Sequence, residues 1–302
     1  MNRKFILSLL FITLVFSACR KSNQNEYGDD FDVPDSVMNK GLREVSDEAM
    51  KNITDNISSP IETAALIKKL NVPFSKEYLA TTDNIDKYDT NLKQAIALGF
   101  FGADLGYLNM YSKTSIAIDY LTSIRKLANK IRVGQFFNFQ TLKRLASNNE
   151  NIDSLIYLSQ RNFNQMDDYL RENNRSHLSS LMIAGVWLEG LYLSCKVYQS
   201  EPDPELRESI GEQKIMISDL MILLENFENN PDFAKLIEGY HDLYEHFRKV
   251  KINIEQGEST SEVVDGKLVI VQNTKSTVDI SDELLKDIID ETIQVRNTLI
   301  NP

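Results

Sequence analysis

With 302 residues, 42% of them hydrophobic and 25% charged, the chain has a globular composition with room for one large core or two smaller ones. Its formal net charge of −11 opposes phosphate backbones and anionic headgroups, which argues against nucleic-acid binding and against broad electrostatic contact with a membrane. Two cysteines, Cys19 and Cys195, give no basis for a disulfide framework.

At the start, Arg3 and Lys4 precede an apolar run over 5–16, followed by Phe16-Ser17-Ala18-Cys19. A basic stretch, a short apolar stretch and small residues before a cleavage point read as a secretory signal over 1–18. The run is shorter than the roughly 20 apolar residues a spanning helix needs. Cys19 resembles the lipobox cysteine of bacterial lipoproteins, before which signal peptidase II cuts and which carries diacylglycerol. The Leu usual three positions before that cysteine is Phe16 here, a residue too large for ordinary signal peptidase. The resemblance implies that Cys19 is the lipidated N-terminus of the mature protein, held firmly by several acyl chains where a single one would hold poorly. No Asp follows Cys19 and no acidic run stands directly behind it, so the same resemblance implies an outer-membrane protein facing the periplasm. Residues 20–35 are polar and read as a flexible tether with a reach of roughly 20–24 Å.

From 36 to 255 the pattern is helical. Met38, Leu42, Val45, Ala49, Ile53 and Ile57 recur at three or four residues, one face of a helix. Ser59-Pro60-Ile61-Glu62 forms a capping box, and Asp203-Pro204-Glu205 and Asn230-Pro231-Asp232 repeat the cap-plus-proline signal. Between these starts the spacing predicts helices near 76–80, 90–111, 113–131, 139–148, 152–173 and 177–198. After Glu255 the character changes. Val263-Val264-Asp265-Gly266-Lys267-Leu268 signals a hairpin, a further strand is expected over 277–280, and Ser281-Asp282-Glu283 caps a final helix carrying Leu284, Leu285, Ile288, Ile289 and Ile293. A lone hairpin is marginal in water, so it is expected to pack on the helical body or on a partner. The expected fold is therefore mainly α, a multi-helix bundle or array ending in a small hairpin and helix over 256–302.

An internal likeness suggests two four-helix repeats. Gly102-Ala103-Asp104-Leu105-Gly106-Tyr107-Leu108 aligns with Trp187-Leu188-Glu189-Gly190-Leu191-Tyr192-Leu193, with copies around 74–148 and 163–252. Both central helices are apolar nearly all round, as buried helices are. The run over 181–193 holds one charge, Glu189, and is too short to span a bilayer. Gly99, Gly102 and Gly106 share one helix face, and their propensity cost of about 1 kcal/mol each fits a close helix approach inside a core.

The candidate sites follow from these helices. Asp104 and Glu189 fall mid-helix in buried surroundings, where an unpaired carboxylate is costly. One reading is a polar ligand pocket walled by Tyr107, Tyr192 and Trp187. The preferred reading is a structural bond or ion pair, with Gln213 or Lys214 as partner. Glu238, His241, Asp242 and Glu245 share a helix face, but a solvated acidic face is the expectation, since no second Glu-x-x-His and no His-Glu-x-x-His accompany them. Cys195, within Leu191-Tyr192-Leu193-Ser194-Cys195, reads as a buried, inert thiol.

On the lipobox, on Gly185-Val-Trp-Leu-Glu-Gly-Leu-Tyr-Leu193 and on Ile210-Gly-Glu-Gln-Lys214, the chain resembles the small helical lipoproteins of Bacteroidota, a group that carries over no catalytic residues. That resemblance implies a non-enzymatic, lipid-anchored scaffold or adaptor with an envelope partner and no cofactor. The alternative is a periplasmic small-molecule binding protein using the space between Asp104 and Glu189. A metal-dependent enzyme at Glu238 and His241 comes third.

Overall fold

The computed structural model describes residues 67, 69–70, 72–146, 152–228, 231–264 and 267–301. The signal over 1–18, Cys19, the tether, the helix expected over 38–57, the Ser59 capping box and the Asp265-Gly266 turn lie outside the described residues.

Eight α-helices are described: α1 (Asn91–Met110), α2 (Thr114–Lys130), α3 (Phe139–Ala146), α4 (Ile152–Glu172), α5 (Ser176–Ser200), α6 (Pro204–Glu225), α7 (Pro231–Phe247) and α8 (Asp282–Ile300). The chain is mainly α, as its periodicity predicts. Side-chain caps set several starts. Thr90 Oγ1 accepts the Lys93 amide at 3.2 Å, Asp203 Oδ1 the Leu206 amide at 3.1 Å, and Ser281 Oγ the Leu284 amide at 3.1 Å. Pro204 supplies the first-turn proline of α6.

Three helices stop the same way without glycine. Ser112, Arg132 and Asn174 adopt positive φ (56°, 60° and 56°) just past α1, α2 and α4. In each case the next amide reaches back five residues: Lys113 to Leu108, Val133 to Ala128 and Arg175 to Leu170. These are Schellman turns, and a residue with a Cβ in that conformation costs about 1–2 kcal/mol.

The helices form two sets that share α5. On one side α1 packs on α2, α2 on α3, α3 on α4, and α4 and α1 on α5. On the other, α5 packs on α6 and α8, and α7 bridges α6 and α8. Helix α5 is long and apolar enough, by length and composition, to cross a membrane, which corrects the short 181–193 estimate. Yet 94% of its most apolar window is buried within the fold, so its apolar surface is spent on neighbouring helices.

The hairpin is longer than its sequence signal. Strand β1 (Lys251–Val264) pairs antiparallel with β2 (Lys267–Asp279), with Val264 opposite Lys267 and a register shift between Gln256 and Ser259. Helix was expected to reach Glu255, but it ends at Phe247. Val250, Ile252 and Ile254 alternate at a strand's period of two, and that signal outweighs the helical one before it. The strand expected over 277–280 is the end of β2. Gly211 of α6 leaves the space that Val278 of β2 fills, with Val250 Cγ1 3.6 Å from where a Cβ would lie.

The two segments of the internal likeness lie in α1 and α5, which pack on each other. Gly99 meets Met182, Gly185 and Val186, Gly102 lies nearest Val186, and Asp104 lies against Glu189. Contacts advance together along both helices, so α1 and α5 run in the same sense, near the register of the sequence likeness. Ahead of α5 stands the 21-residue α4, whereas ahead of α1 stand two 3₁₀ turns, Lys76–Tyr78 and Thr82–Lys87.

Candidate functional site

Close backbone approach builds the site. A Cβ on Gly99 would lie 2.7 Å from the Val186 amide nitrogen and overlap the Met182 carbonyl, and one on Gly185 would overlap the Ile96 carbonyl. Of the three glycines expected at this contact, Gly99 alone takes part. A Cβ at Gly102 would touch only Val186 Cγ2 at 3.9 Å, and Gly106 faces open space. The reciprocal glycine is Gly185, which the sequence presents as one more small residue in an apolar run.

One to two turns further along, Asp104 and Glu189 meet, both fully buried. Both carboxylate oxygens of Glu189 are taken by one guanidinium: Arg296 Nη2 donates to Oε1 at 2.7 Å and Nε to Oε2 at 2.9 Å. Arg296 belongs to α8, 107 residues away, and is itself nearly buried, with 8% of its side chain exposed. Its Nη2 also donates to the Tyr78 carbonyl at 3.3 Å, and its Cζ stands 4.1 Å from the centre of the Tyr192 ring. The fork matches a carboxylate's geometry, which a lysine ammonium cannot do.

Asp104 is held differently. Its Oδ2 accepts the Ala80 amide at 2.9 Å, while its Oδ1 is buried without a protein donor. Burial first, and the neighbouring Glu189 charge second, push the Asp104 carboxyl well above the usual carboxylate range. Arg296 shows the opposite balance. Burial weakens its hold on its proton, and Glu189 beside it more than reverses that.

The irregular segment 72–80 lies over this cluster, and side chains from three helices satisfy its backbone. The Tyr111 hydroxyl donates to the Val72 carbonyl at 2.7 Å, the Ser75 amide donates to the Tyr107 hydroxyl at 3.2 Å, and the Tyr120 hydroxyl donates to the Ala80 carbonyl. With Asp104 on Ala80 and Arg296 on Tyr78, this strap is tied to α1, α2 and α8. The Tyr88 hydroxyl adds a tie to the last turn of α8, donating to the Ile300 carbonyl at 2.9 Å.

The other predicted site residues fall as follows. Trp187 Nε1 donates to Gln213 Oε1 at 2.9 Å, a buried indole with its partner found. Tyr192 is the face on which Arg296 stacks, and Tyr107 stacks on Phe74 and binds the strap. Lys214 is not the partner of Glu189. Its Nζ donates to the carbonyls of Val250 at 2.7 Å and Arg248 at 3.2 Å, closing the connection from α7 to β1. Residues 211–214 lie inside α6, which carries Lys214 to that connection. Arg296 was the residue missed. Its sequence signal was a basic residue within the apolar stripe Leu285, Ile288/Ile289, Thr292, Val295/Arg296 and Ile300 of the last helix.

On α7, His241 Nε2 stands 4.0 Å from Glu245 Oε1, and that oxygen accepts from Arg248 Nη1 at 3.1 Å. Among the described residues no three His, Cys, Asp or Glu side chains gather in a way that would hold a metal ion. Cys195 is fully buried, and burial pushes its thiol up to about 12. In a Cys19→Ser chain a water-soluble thiol reagent should therefore label Cys195 only at the rate of unfolding. Rapid stoichiometric labelling of the native protein would contradict this burial.

No protein-family model, curated protein or solved structure matches the chain.

Proposed function

We propose that the protein is a lipid-anchored component of the cell envelope, attached through Cys19 to the outer membrane, facing the periplasm and acting as a non-enzymatic scaffold or adaptor. The observation that carries the scaffold reading is the engagement of the buried acids. Glu189 is closed by Arg296 on both oxygens, and Asp104 is bonded to the Ala80 amide. These carboxyls join the strap, two central helices and the last helix, which is what a rigid body carried on a tether requires. The anchor reading is supported by the basic residues, apolar run and Cys19 at the start of the sequence.

The anchor is tested by Cys19→Ser. The variant should accumulate as an uncleaved or soluble form and lose incorporation of labelled fatty acid. Wild-type membrane association after signal removal would overturn the anchor. The scaffold reading is tested by capture from solubilised envelopes with wild-type and Glu189→Gln chains as bait. A defined protein partner retained at fixed stoichiometry supports it. A co-purifying small molecule, lost in Glu189→Gln while the fold persists, would favour a binding protein with its pocket between the central helices.

A further inference from the structure

The geometry points to a proton-binding site at Asp104: a proton held between Asp104 Oδ1 and the Glu189 carboxylate closes the strap 72–80 over the two central helices, and its loss releases the strap. Two carboxyls share one dry site with a single guanidinium. Arg296 Nε and Nη2 are directed at Glu189, Nη2 also serves the Tyr78 carbonyl, and Nη1 lies 3.5 Å from Asn297 Oδ1. None of these donors serves Asp104. The Ala80 amide satisfies Oδ2, which leaves Oδ1 buried without a donor while the Glu189 carboxylate is the charged neighbour that bears on Asp104. Two ionised carboxylates cannot hydrogen-bond each other. A protonated Asp104 can donate to Glu189, and that one proton removes both the orphaned atom and the second negative charge.

The groups that face Asp104 are Glu189 of α5 and Arg296 of α8, with Tyr88, Tyr107, Tyr120 and Tyr192 around them. Burial pushes all four tyrosine hydroxyls upward, Tyr88 to about 12, so they keep their protons where Asp104 loses its own. The element that gives way is the strap. It is bound by hydrogen bonds from its backbone to Tyr107, Tyr111, Tyr120, Arg296 and Asp104, and lifting it brings water to the carboxyl.

The sign follows from linkage. An acid raised in the closed state keeps its proton there and releases it when hydrated. The closed form is therefore favoured fully below the ordinary carboxylate range, and this advantage is lost as pH climbs to the raised value of Asp104. Across that window strap opening gains about tenfold per pH unit from one linked proton, on top of the tenfold rise in intrinsic amide exchange.

Two measurements on the full chain in detergent test the proposal. Infrared difference spectra of wild type against Asp104→Asn at neutral pH should show a protonated-carboxyl band that the variant lacks. Hydrogen exchange of peptides covering 72–80 should steepen with pH in wild type by about one extra power of ten per unit. In Asp104→Asn, whose amide can donate to Glu189 and whose oxygen can accept from Ala80, it should follow the intrinsic rate alone. Absence of the band in wild type, its persistence in Asp104→Asn, or parallel pH dependences for the two proteins would each overturn the assignment. Should Asp104→Asn not fold, the wild-type exchange slope alone decides: an intrinsic slope overturns it.

Discussion

Replacing Arg296 with alanine is expected to cost about 3–5 kcal/mol of unfolding free energy, measured by urea denaturation of a Cys19→Ser chain. The change removes both donors from the fully buried Glu189, unstacks Tyr192 and leaves the Tyr78 carbonyl without its guanidinium partner. Domains are typically stable by only about 5–15 kcal/mol, so this variant should be on the edge of unfolding at growth temperature. Arg296→Lys should recover little, because one ammonium cannot bridge two carboxylate oxygens in the geometry the guanidinium holds. Lys214→Met should cost less than Arg296→Ala, since the bonds of Lys214 to the Arg248 and Val250 carbonyls are those of a connection between elements. A loss of under about 1 kcal/mol for Arg296→Ala, within the range of exposed pairs, would mean that the ion pair is hydrated in solution.

The second large effect concerns the helix contact that brings the acids together. Gly185→Ala and Gly99→Ala each place a methyl against backbone of the facing helix, where no side chain can rotate away. Overpacking of this kind commonly costs about 1–3 kcal/mol, and with rigid backbone on both sides the upper end or beyond is expected. Gly106→Ala should move in the opposite direction. Its Cβ would meet nothing within 4 Å, so the variant should gain most of the roughly 1 kcal/mol by which alanine exceeds glycine in a helix. Equal melting shifts for Gly185→Ala and Gly106→Ala would contradict the close approach of α1 and α5.

Local signals made the helices legible. The apolar periodicity and the caps at Asp203 and Ser281 lie within a few residues of the elements they create, and α1, α2, α4 and α5 begin and end close to their predicted bounds. The burial of Asp104 and Glu189 was also legible, because each sits in a helix apolar on all sides. Their partner was not. Arg296 follows Glu189 by 107 residues, and no local pattern links the two. Lys214 was the nearer cation in sequence, but α6 runs on through it and delivers it to the Val250 carbonyl. The strap was read as a helix near 76–80, where the structure has only the 3₁₀ turn Lys76–Tyr78, because a segment whose backbone bonds go to distant side chains has no period to read. The glycines were half legible. Helical spacing groups Gly99 with Gly102 and Gly106, but only the position of α5 decides which of them it touches.

Glu189 and Arg296 act as one buried unit closing the core. The most direct test is a double-mutant cycle in urea with Glu189→Leu, Arg296→Met and the double variant. Each single change strands a charge in a dry site, whereas the double change removes both and leaves apolar side chains of similar length. A coupling energy of about 2–3 kcal/mol or more is expected, with the double variant more stable than either single one. Additive losses within about 0.5 kcal/mol would contradict it, because they would mean that the two charges do not depend on each other in the folded protein.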